Sequence, residues 1–400
     1  MPALRTASRR LSRLAMGRTP PFALERYFAE HEFTCKHALC SSDTEAVSLA
    51  ATLETMSGET RALWDGLDLG YTEVKGHPRL LAALAASYRL EPASFQELAP
   101  QEGILLAYAA LLGAGDRVVA TAPGYQSFYT CAEAAGARVD FWYPRADGGG
   151  ALRFRAEDLE ALCDREETKC VAVNFPHNPT GALPTVEEWA AIVRVCERRG
   201  CYLFADEIYR GLAPPGVATL APAAAAYARG ISLGGVSKAY GMPGARVGWL
   251  ASRDAELLAR VAELRDYTTI CSSAPSQILA LAAIEGEARA LERANGFCDA
   301  GRRAVDAVLA DFADDLAWGA GPAAGPVGWV ELQAGASAAA YADALVRSDA
   351  GLLLLPSTLF DAGDSHVRVG FGRADSPAIM DKWRATLDDP THPATALLRA

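Results

Sequence analysis

The chain of 400 residues carries 49 acidic and 38 basic residues, which gives it a formal net charge of -11. This acidic balance argues against nucleic acid or an anionic membrane as its partner. Half of the residues are apolar and no apolar run approaches the roughly 20 residues that span a bilayer, so the sequence predicts a soluble globular protein. The length predicts two domains.

The nine cysteines are odd in number, and none of them form a Cys-x-x-Cys pair. We expect reduced thiols, neither a disulfide framework nor a metal site, and a cytoplasmic location. Residues 1–21 contain several arginines and no acidic residue. They are typical either of a mitochondrial or plastid transit peptide or of a disordered tail.

The first elements are helical. A mildly amphipathic segment runs from Phe22 to Cys40, and Ser41-Ser42-Asp43 at its end is a plausible helix cap. After a turn-rich piece at residues 71–76, an apolar-periodic helix is predicted over residues 78–90, with Pro78 in its first turn.

Beyond Gln101 the sequence alternates between two periodicities. Helices are predicted over residues 103–112, 126–135, 157–163 and 186–199, and strands over residues 117–122, 137–142, 170–175, 201–206 and 231–236. Continuously apolar strands separated by helices indicate an α/β fold with a mostly parallel sheet that helices cover on both faces.

The pattern changes after a helix at residues 255–266. A helical region at 276–309 leads to strands near 327–332, 351–355 and 367–371 and to a helix near 376–387. We therefore predict a large domain at residues 51–275 and a smaller α+β domain at residues 276–400, to which residues 22–50 contribute an N-terminal segment.

One lysine stands out in the stretch from Ser232 to Ser252. The chain has five lysines against thirty-three arginines, and Lys238 follows Ser237 between two apolar runs. A buried lysine with a lowered pKa can form a Schiff base with a carbonyl, which arginine cannot. The alternative is a lysine at a strand end that extends its amine to solvent.

Other functional side chains also follow strands. In an open parallel sheet, ligands bind outside the carboxyl ends of the strands, so residues at these ends form one cluster. The predicted cluster contains Tyr125, Asn178, Asp206, Tyr209, Ser237, Lys238 and Arg246. Each of them taken singly has a structural explanation, such as a turn at Asn-Pro-Thr-Gly.

Together these groups match pyridoxal 5'-phosphate (PLP). A carboxylate such as Asp206 keeps the ring nitrogen protonated, and Asn178 and Tyr209 can donate to the ring's phenolate oxygen. Tyr125 can stack on the ring. Arg246 and the backbone N–H groups at the helix start before Gly103 can bind the phosphate.

These motifs resemble the class I/II aminotransferase family of fold type I PLP enzymes, over the chain from about Leu24 to Leu387. The resemblance implies that Lys238 forms the internal aldimine with PLP, and it assigns Asp206, Tyr209, Asn178 and Arg246 to the cofactor. It also implies a homodimer in which Tyr71 reaches the partner subunit's cofactor phosphate.

A late strand adds a site for the substrate. His366-Val-Arg368-Val-Gly-Phe371 is similar to the family's carboxylate-binding motif. The planar fork of Arg368 suits bidentate capture of an α-carboxylate.

Two positions depart from the family pattern. Gly235 stands three residues before the lysine, where many members have Ser, and Ala99-Pro100-Gln101 replaces the usual Gly-Ala pair. Because Pro100 has no N–H, the phosphate cradle must use Gln101 and Glu102, with Ser237 as a further donor.

The resulting hypothesis is a transaminase that uses an L-amino acid and a 2-oxo acid as substrates, with Lys238 moving the Cα proton. The same chemistry supports cyclisation or elimination. Residues 265–269, 174–178 and 237–241 are also similar to capreomycidine synthases, which cyclise a hydroxyarginine. A catalytically inactive scaffold or a PLP-binding regulator is the third possibility. Residues 33–42 and 267–273 are the candidate specificity loops.

Overall fold

The computed structural model describes residues 19–148, 150–164 and 168–400. Most of the predicted transit peptide or disordered tail lies outside the described residues, so that prediction stays open. In the described part of the chain, no helix is both long and apolar enough to cross a membrane.

A seven-stranded sheet forms the larger part of the fold. In spatial order its strands are Phe95–Leu98, Gly248–Ser252, Gly230–Gly235, Tyr202–Asp206, Thr168–Asn174, Arg117–Thr121 and Arg138–Trp142. Gly248–Ser252 runs antiparallel to both of its neighbours, and the other neighbouring pairs are parallel. This architecture confirms the predicted α/β class with a mostly parallel sheet.

Helices cover both faces of this sheet, and the interior strand Thr168–Asn174 shows why such a strand is apolar on both sides. Cys170 and Ala172 pack into one hydrophobic cluster, while Val171 and Val173 pack into another. The flanking helices are Pro78–Tyr88, Pro100–Leu111, Ser127–Ala134, Ala156–Cys163, Val186–Arg199, Ala255–Arg265 and Ala274–Glu285.

A smaller antiparallel sheet follows in the chain. Its strands, in spatial order, are Leu316–Ala320, Val327–Leu332, His366–Gly370 and Leu355–Pro356. The helices of this part are Glu287–Asp311, Ala338–Arg347, Ser376–Asp388 and Pro393–Leu398. The N-terminal strand His37–Ala38 pairs with Leu352–Leu353, which brings residues 37–38 beside this part of the chain.

The helical region predicted at residues 276–309 is two helices, Ala274–Glu285 and Glu287–Asp311, on either side of Gly286. Leu281 of the first helix packs with Leu84 and Trp249 against the large sheet. The predicted domain boundary at residue 275 therefore falls inside a helix that packs on the large sheet. The limits at residues 22–50, 51–275 and 276–400 stay a prediction.

The N-terminal segment also differs from its prediction. Only Ala23–His31 is helical, and Ser41-Ser42-Asp43 caps no helix. The next helix, Leu49–Glu54, begins where the Ser48 hydroxyl accepts a bond of 3.1 Å from the N–H of Ala51. The remaining short elements are the helices Gly58–Asp65 and Ala223–Ala226 and the hairpin Arg145–Ala146 with Leu152–Arg153.

A fully buried ion pair fixes the segments beside the helix Pro100–Leu111. The Arg265 guanidinium lies 3.3 Å from the Glu97 carboxylate, and both side chains have zero exposure. Arg265 also donates to the carbonyl of Val74 at 2.5 Å and to the Ser272 hydroxyl at 2.8 Å. One side chain thus joins the strand Phe95–Leu98 to two neighbouring loops.

Replacing Arg265 with methionine leaves the Glu97 carboxyl buried without its cation. We expect a loss of about 3–5 kcal/mol in the apparent free energy of unfolding, measured by urea denaturation. The matched control is Arg260→Met on the same helix, where the exposed ion pair with Glu256 contributes at most about 0.5 kcal/mol. Equal losses in the two variants would contradict this assignment.

Candidate active site

A cavity of about 380 Å³ opens at the carboxyl ends of the parallel strands. Nine of the predicted site residues line it: Gln101, Tyr125, Asn178, Asp206, Tyr209, Ser237, Lys238, Arg246 and Arg368. The walls also include side chains outside the predicted cofactor and substrate set, namely Glu25, Glu32, Ser41, Ser42, Asp43, Asn174 and Arg373, of which Ser41 and Ser42 belong to the candidate specificity loop 33–42.

Lys238 lies just after the strand Gly230–Gly235, and its amine reaches into the cavity. Its Nζ donates to the Ser42 hydroxyl at 3.0 Å, and its carbonyl accepts a bond of 2.7 Å from the Thr44 hydroxyl. Burial lowers the pKa of the amine, while the nearby Asp43 carboxylate opposes that shift. A larger fraction of the amine is therefore neutral and able to react with a carbonyl.

Asp206 ends the neighbouring strand and is buried in the same cavity. Burial raises the pKa of its carboxyl to about 7, although the N–H of Ile208 donates to it at 3.0 Å and Lys238 favours its ionised form. A cation placed beside this carboxyl would restore its ordinary ionisation, so the position suits a protonated ring nitrogen.

A chain of hydrogen bonds links Asp206 to Arg368 on the opposite wall. Asn174 donates to the Asp206 carbonyl at 3.1 Å and accepts from the backbone N–H of Asn178 at 2.7 Å. Arg368 donates to the Asn178 side chain at 2.8 Å and to the Cys40 carbonyl at 2.7 Å. Arg368 is only 1% exposed, and its Nε has no partner among the described residues. A buried donor without a partner suits an anionic or strongly accepting ligand.

Two tyrosines complete the middle of the cavity. The Tyr125 hydroxyl donates to the Glu25 carboxylate at 2.9 Å, and its ring lies 4.9 Å from that of Phe22. Tyr209 is buried, which raises the pKa of its phenol to about 12 even though Arg368 lies nearby. Tyr209 therefore keeps its proton at neutral pH and can donate it in a hydrogen bond.

The far end of the cavity carries donors for an anion. The Ser237 hydroxyl is buried without a partner in the described part of the protein. Arg246 is exposed and donates to the Pro243 carbonyl at 3.0 Å. The helix Pro100–Leu111 begins here without a side-chain cap, which leaves the N–H of Gln101 and of Glu102 available to a ligand.

Comparison with known proteins agrees with this geometry. Residues 40–378 match the family model for aminotransferase class I and II. The chain belongs to this family. Its cofactor is accordingly PLP, and the predictions of family, cofactor and PLP-dependent transaminase are confirmed.

The chain is also similar to individual proteins with known names. This aminotransferase is 31% identical to capreomycidine synthase of Streptomyces vinaceus over 66% of the chain and 68% of that protein. It is 29% identical to arginine–pyruvate transaminase AruH of Pseudomonas aeruginosa over 75% and 77% of the two chains. A crystal structure of a PLP-dependent aminotransferase from Streptococcus suis has the same fold, with a TM-score of 0.84, 24% identity, and coverage of 93% and 98%.

Two predicted residues lie apart from the cavity. Tyr71 is 93% exposed and borders a separate surface depression. The carboxylate of Glu102 accepts bonds from the hydroxyls of Thr268 and Thr269, so only its backbone N–H faces the phosphate end. Of the residues that the sequence analysis missed, Glu25, Glu32 and Asp43 come from the N-terminal segment and Arg373 follows the strand His366–Gly370, whereas Asn174 ends the strand Thr168–Asn174 and could have been found by that signal.

The two departures from the family pattern are in contact with each other. A Cβ added at Gly235 would lie 2.8 Å from Cγ of Pro100 and 2.8 Å from Cδ1 of Ile208. The Pro100 ring also packs against Gly248, where a Cβ would lie 2.6 Å from its Cγ. The proline therefore fills the space that a serine at position 235 would need.

Gly235→Ser overpacks this contact, and we expect it to cost about 1–3 kcal/mol of the apparent free energy of unfolding. The cost should fall in a Pro100→Ala background because the ring is gone, with a coupling energy of at least about 0.5 kcal/mol in a double-mutant cycle. Urea denaturation of the wild type, the two single variants and the double variant measures this coupling energy. Additive effects would show that the two positions are independent.

Proposed function

We propose that this chain transfers the amino group of an L-amino acid to a 2-oxo acid with PLP attached to Lys238. The observation that carries the proposal is the amine of Lys238, buried with a lowered pKa in the cavity that also holds the Asp206 carboxyl. When bound, PLP supplies an electron sink that makes the Cα proton of the amino acid acidic.

The described side chains fit this cofactor. Asp206 would hold the ring nitrogen of the cofactor. Asn178 and Tyr209 would donate to its phenolate oxygen, and the ring of Tyr125 would stack on one face of the cofactor ring. The phosphate would be bound by Arg246, by the orphaned hydroxyl of Ser237, and by the backbone N–H groups of Gln101 and Glu102.

Arg368 and Lys238 would act on the substrate. The guanidinium of Arg368 is held by the Asn178 side chain and the Cys40 carbonyl. It is therefore already in position to orient the α-carboxylate of the substrate. The Lys238 amine, once free, takes the Cα proton as a general base and returns it as a general acid.

Reduction with borohydride followed by peptide mapping tests the attachment site. We expect PLP on the peptide that contains Lys238, and a loss of turnover of at least about 100-fold in Lys238→Ala. The exposed Lys382 provides the control. The Lys382→Ala protein should still carry PLP on the Lys238 peptide and should keep its turnover. Labelling at another lysine, or an active Lys238→Ala, would overturn the proposal.

A PLP-dependent cyclase remains the second candidate, supported by the 31% identity to capreomycidine synthase. Transamination is favoured because arginine–pyruvate transaminase AruH aligns over more of this chain. Incubation of the PLP-loaded protein with amino acids and pyruvate or 2-oxoglutarate separates the two activities. Transamination yields a new amino acid from the 2-oxo acid, and we expect that product. A cyclic or eliminated product, with the 2-oxo acid unconsumed, would favour the lyase or cyclase.

We also propose a homodimer in a cytoplasmic location. The 93% exposure of Tyr71 suits a side chain that a partner subunit covers, with its hydroxyl on the partner's phosphate site. The nine cysteines are free, which suits a reducing compartment.

A further inference from the structure

The N-terminal helix Ala23–His31 and the chain after it form the wall of the cavity nearest the Lys238 amine. Glu25, Phe28 and Glu32 of this segment line the cavity together with Asp43. The segment is anchored on the large sheet, since Gln126 accepts from the N–H of Ala23 at 2.9 Å and donates to the Pro21 carbonyl at 3.1 Å. Its carboxylates are therefore fixed parts of the site.

The charged residues of the cavity are four acids and four bases: Glu25, Glu32, Asp43, Asp206, Lys238, Arg246, Arg368 and Arg373. Most of them have a partner in the protein or in the proposed complex. Arg373 binds Asp43 at 3.1 and 3.2 Å. The cofactor uses Asp206, Lys238 and Arg246, and the substrate carboxylate uses Arg368.

Two carboxylates form no ion pair within the described residues. Glu25 accepts from the neutral Tyr125 hydroxyl, and no residue in the described ranges hydrogen-bonds or ion-pairs with the side chain of Glu32. Burial raises the pKa of Glu32, and the negative charges of Asp43 and Glu25 add to the increase, whereas the nearby Arg373 and Lys238 oppose it. Both carboxylates are thus open to an ion pair with a ligand.

The buried Nε of Arg368 indicates how a substrate is oriented in the cavity. It is an orphaned donor, 1% exposed, in the same cavity, and it fixes the α-carboxylate end. With the reacting amine at Lys238, the substrate side chain is left to the wall formed by the N-terminal segment. That wall carries two carboxylates without an ion pair in the described residues, so it favours a cationic side chain over an acidic one.

We propose that the amino donor has a positively charged side chain, an amine or a guanidinium, which binds to Glu32 and Glu25. This inference rests on the proposed function, because it takes the α-carboxylate to lie on Arg368. It names the substrate class of the same site.

Steady-state kinetics of the PLP-loaded protein with pyruvate or 2-oxoglutarate test the inference. We expect kcat/KM for L-arginine or L-ornithine to exceed that for L-citrulline, L-norleucine and L-glutamate by at least about tenfold. Glu32→Gln and Glu25→Gln should each lower the ratio of kcat/KM for the cationic donor to kcat/KM for L-norleucine about tenfold or more. Glu30→Gln, an exposed carboxylate on the same helix, is the matched control and should change neither value.

Equilibrium binding separates this inference from the proposed function. The probe is 5-guanidinopentanoate, which has the carboxylate and the cation but no reacting amine, compared with hexanoate by isothermal titration calorimetry. We expect the guanidino acid to bind at least about tenfold more tightly, and Glu32→Gln to abolish the difference.

The outcomes are distinct. Binding that depends on Glu32 without transamination of any donor would refute the proposed function and keep the charged subsite. Transamination with neutral or acidic donors preferred, or cationic turnover unchanged in both Gln variants, would overturn this inference and leave the function intact.

Discussion

The active site depends on the burial of two ionisable groups at the ends of adjacent strands. Lys238 follows the strand Gly230–Gly235, and Asp206 ends its parallel neighbour Tyr202–Asp206. Burial lowers the pKa of the amine and raises that of the carboxyl, so in the protein alone each group is shifted toward its neutral form. Under the proposed function, the aldehyde and the ring nitrogen of PLP would each use one of these two groups.

The smaller sheet contributes the opposite wall through one side chain. Arg368 lies in the strand His366–Gly370, yet it donates to Asn178 at the edge of the large sheet and to Cys40 in the N-terminal segment. Three distant parts of the chain therefore meet at a single guanidinium. Its buried Nε has no hydrogen-bond partner within the described residues, which suits the substrate-carboxylate role proposed for Arg368.

Two departures from the family pattern lie together at the proposed phosphate end of the cavity. Pro100 removes one backbone donor, and Gly235 removes one hydroxyl, but the two changes are packed against each other. The proline ring needs the space that the missing side chain leaves. Ser237, whose buried hydroxyl has no partner within the described residues, offers a replacement donor on the same turn as Lys238.

The sequence by itself determined the alternation of strands and helices and the residues that follow strands, since periodicity and strand ends are local signals. It placed Asp206, Asn178 and Lys238 at one sheet edge before any contact was known. Only the tertiary structure decided that Glu25, Glu32 and Asp43 line the cavity, because their contact with the large sheet is not a local signal, although residues 33–42 were predicted as a specificity loop. It also decided the break at Gly286 and the contact of Pro100 with Gly235, which arise from packing between segments far apart in the chain.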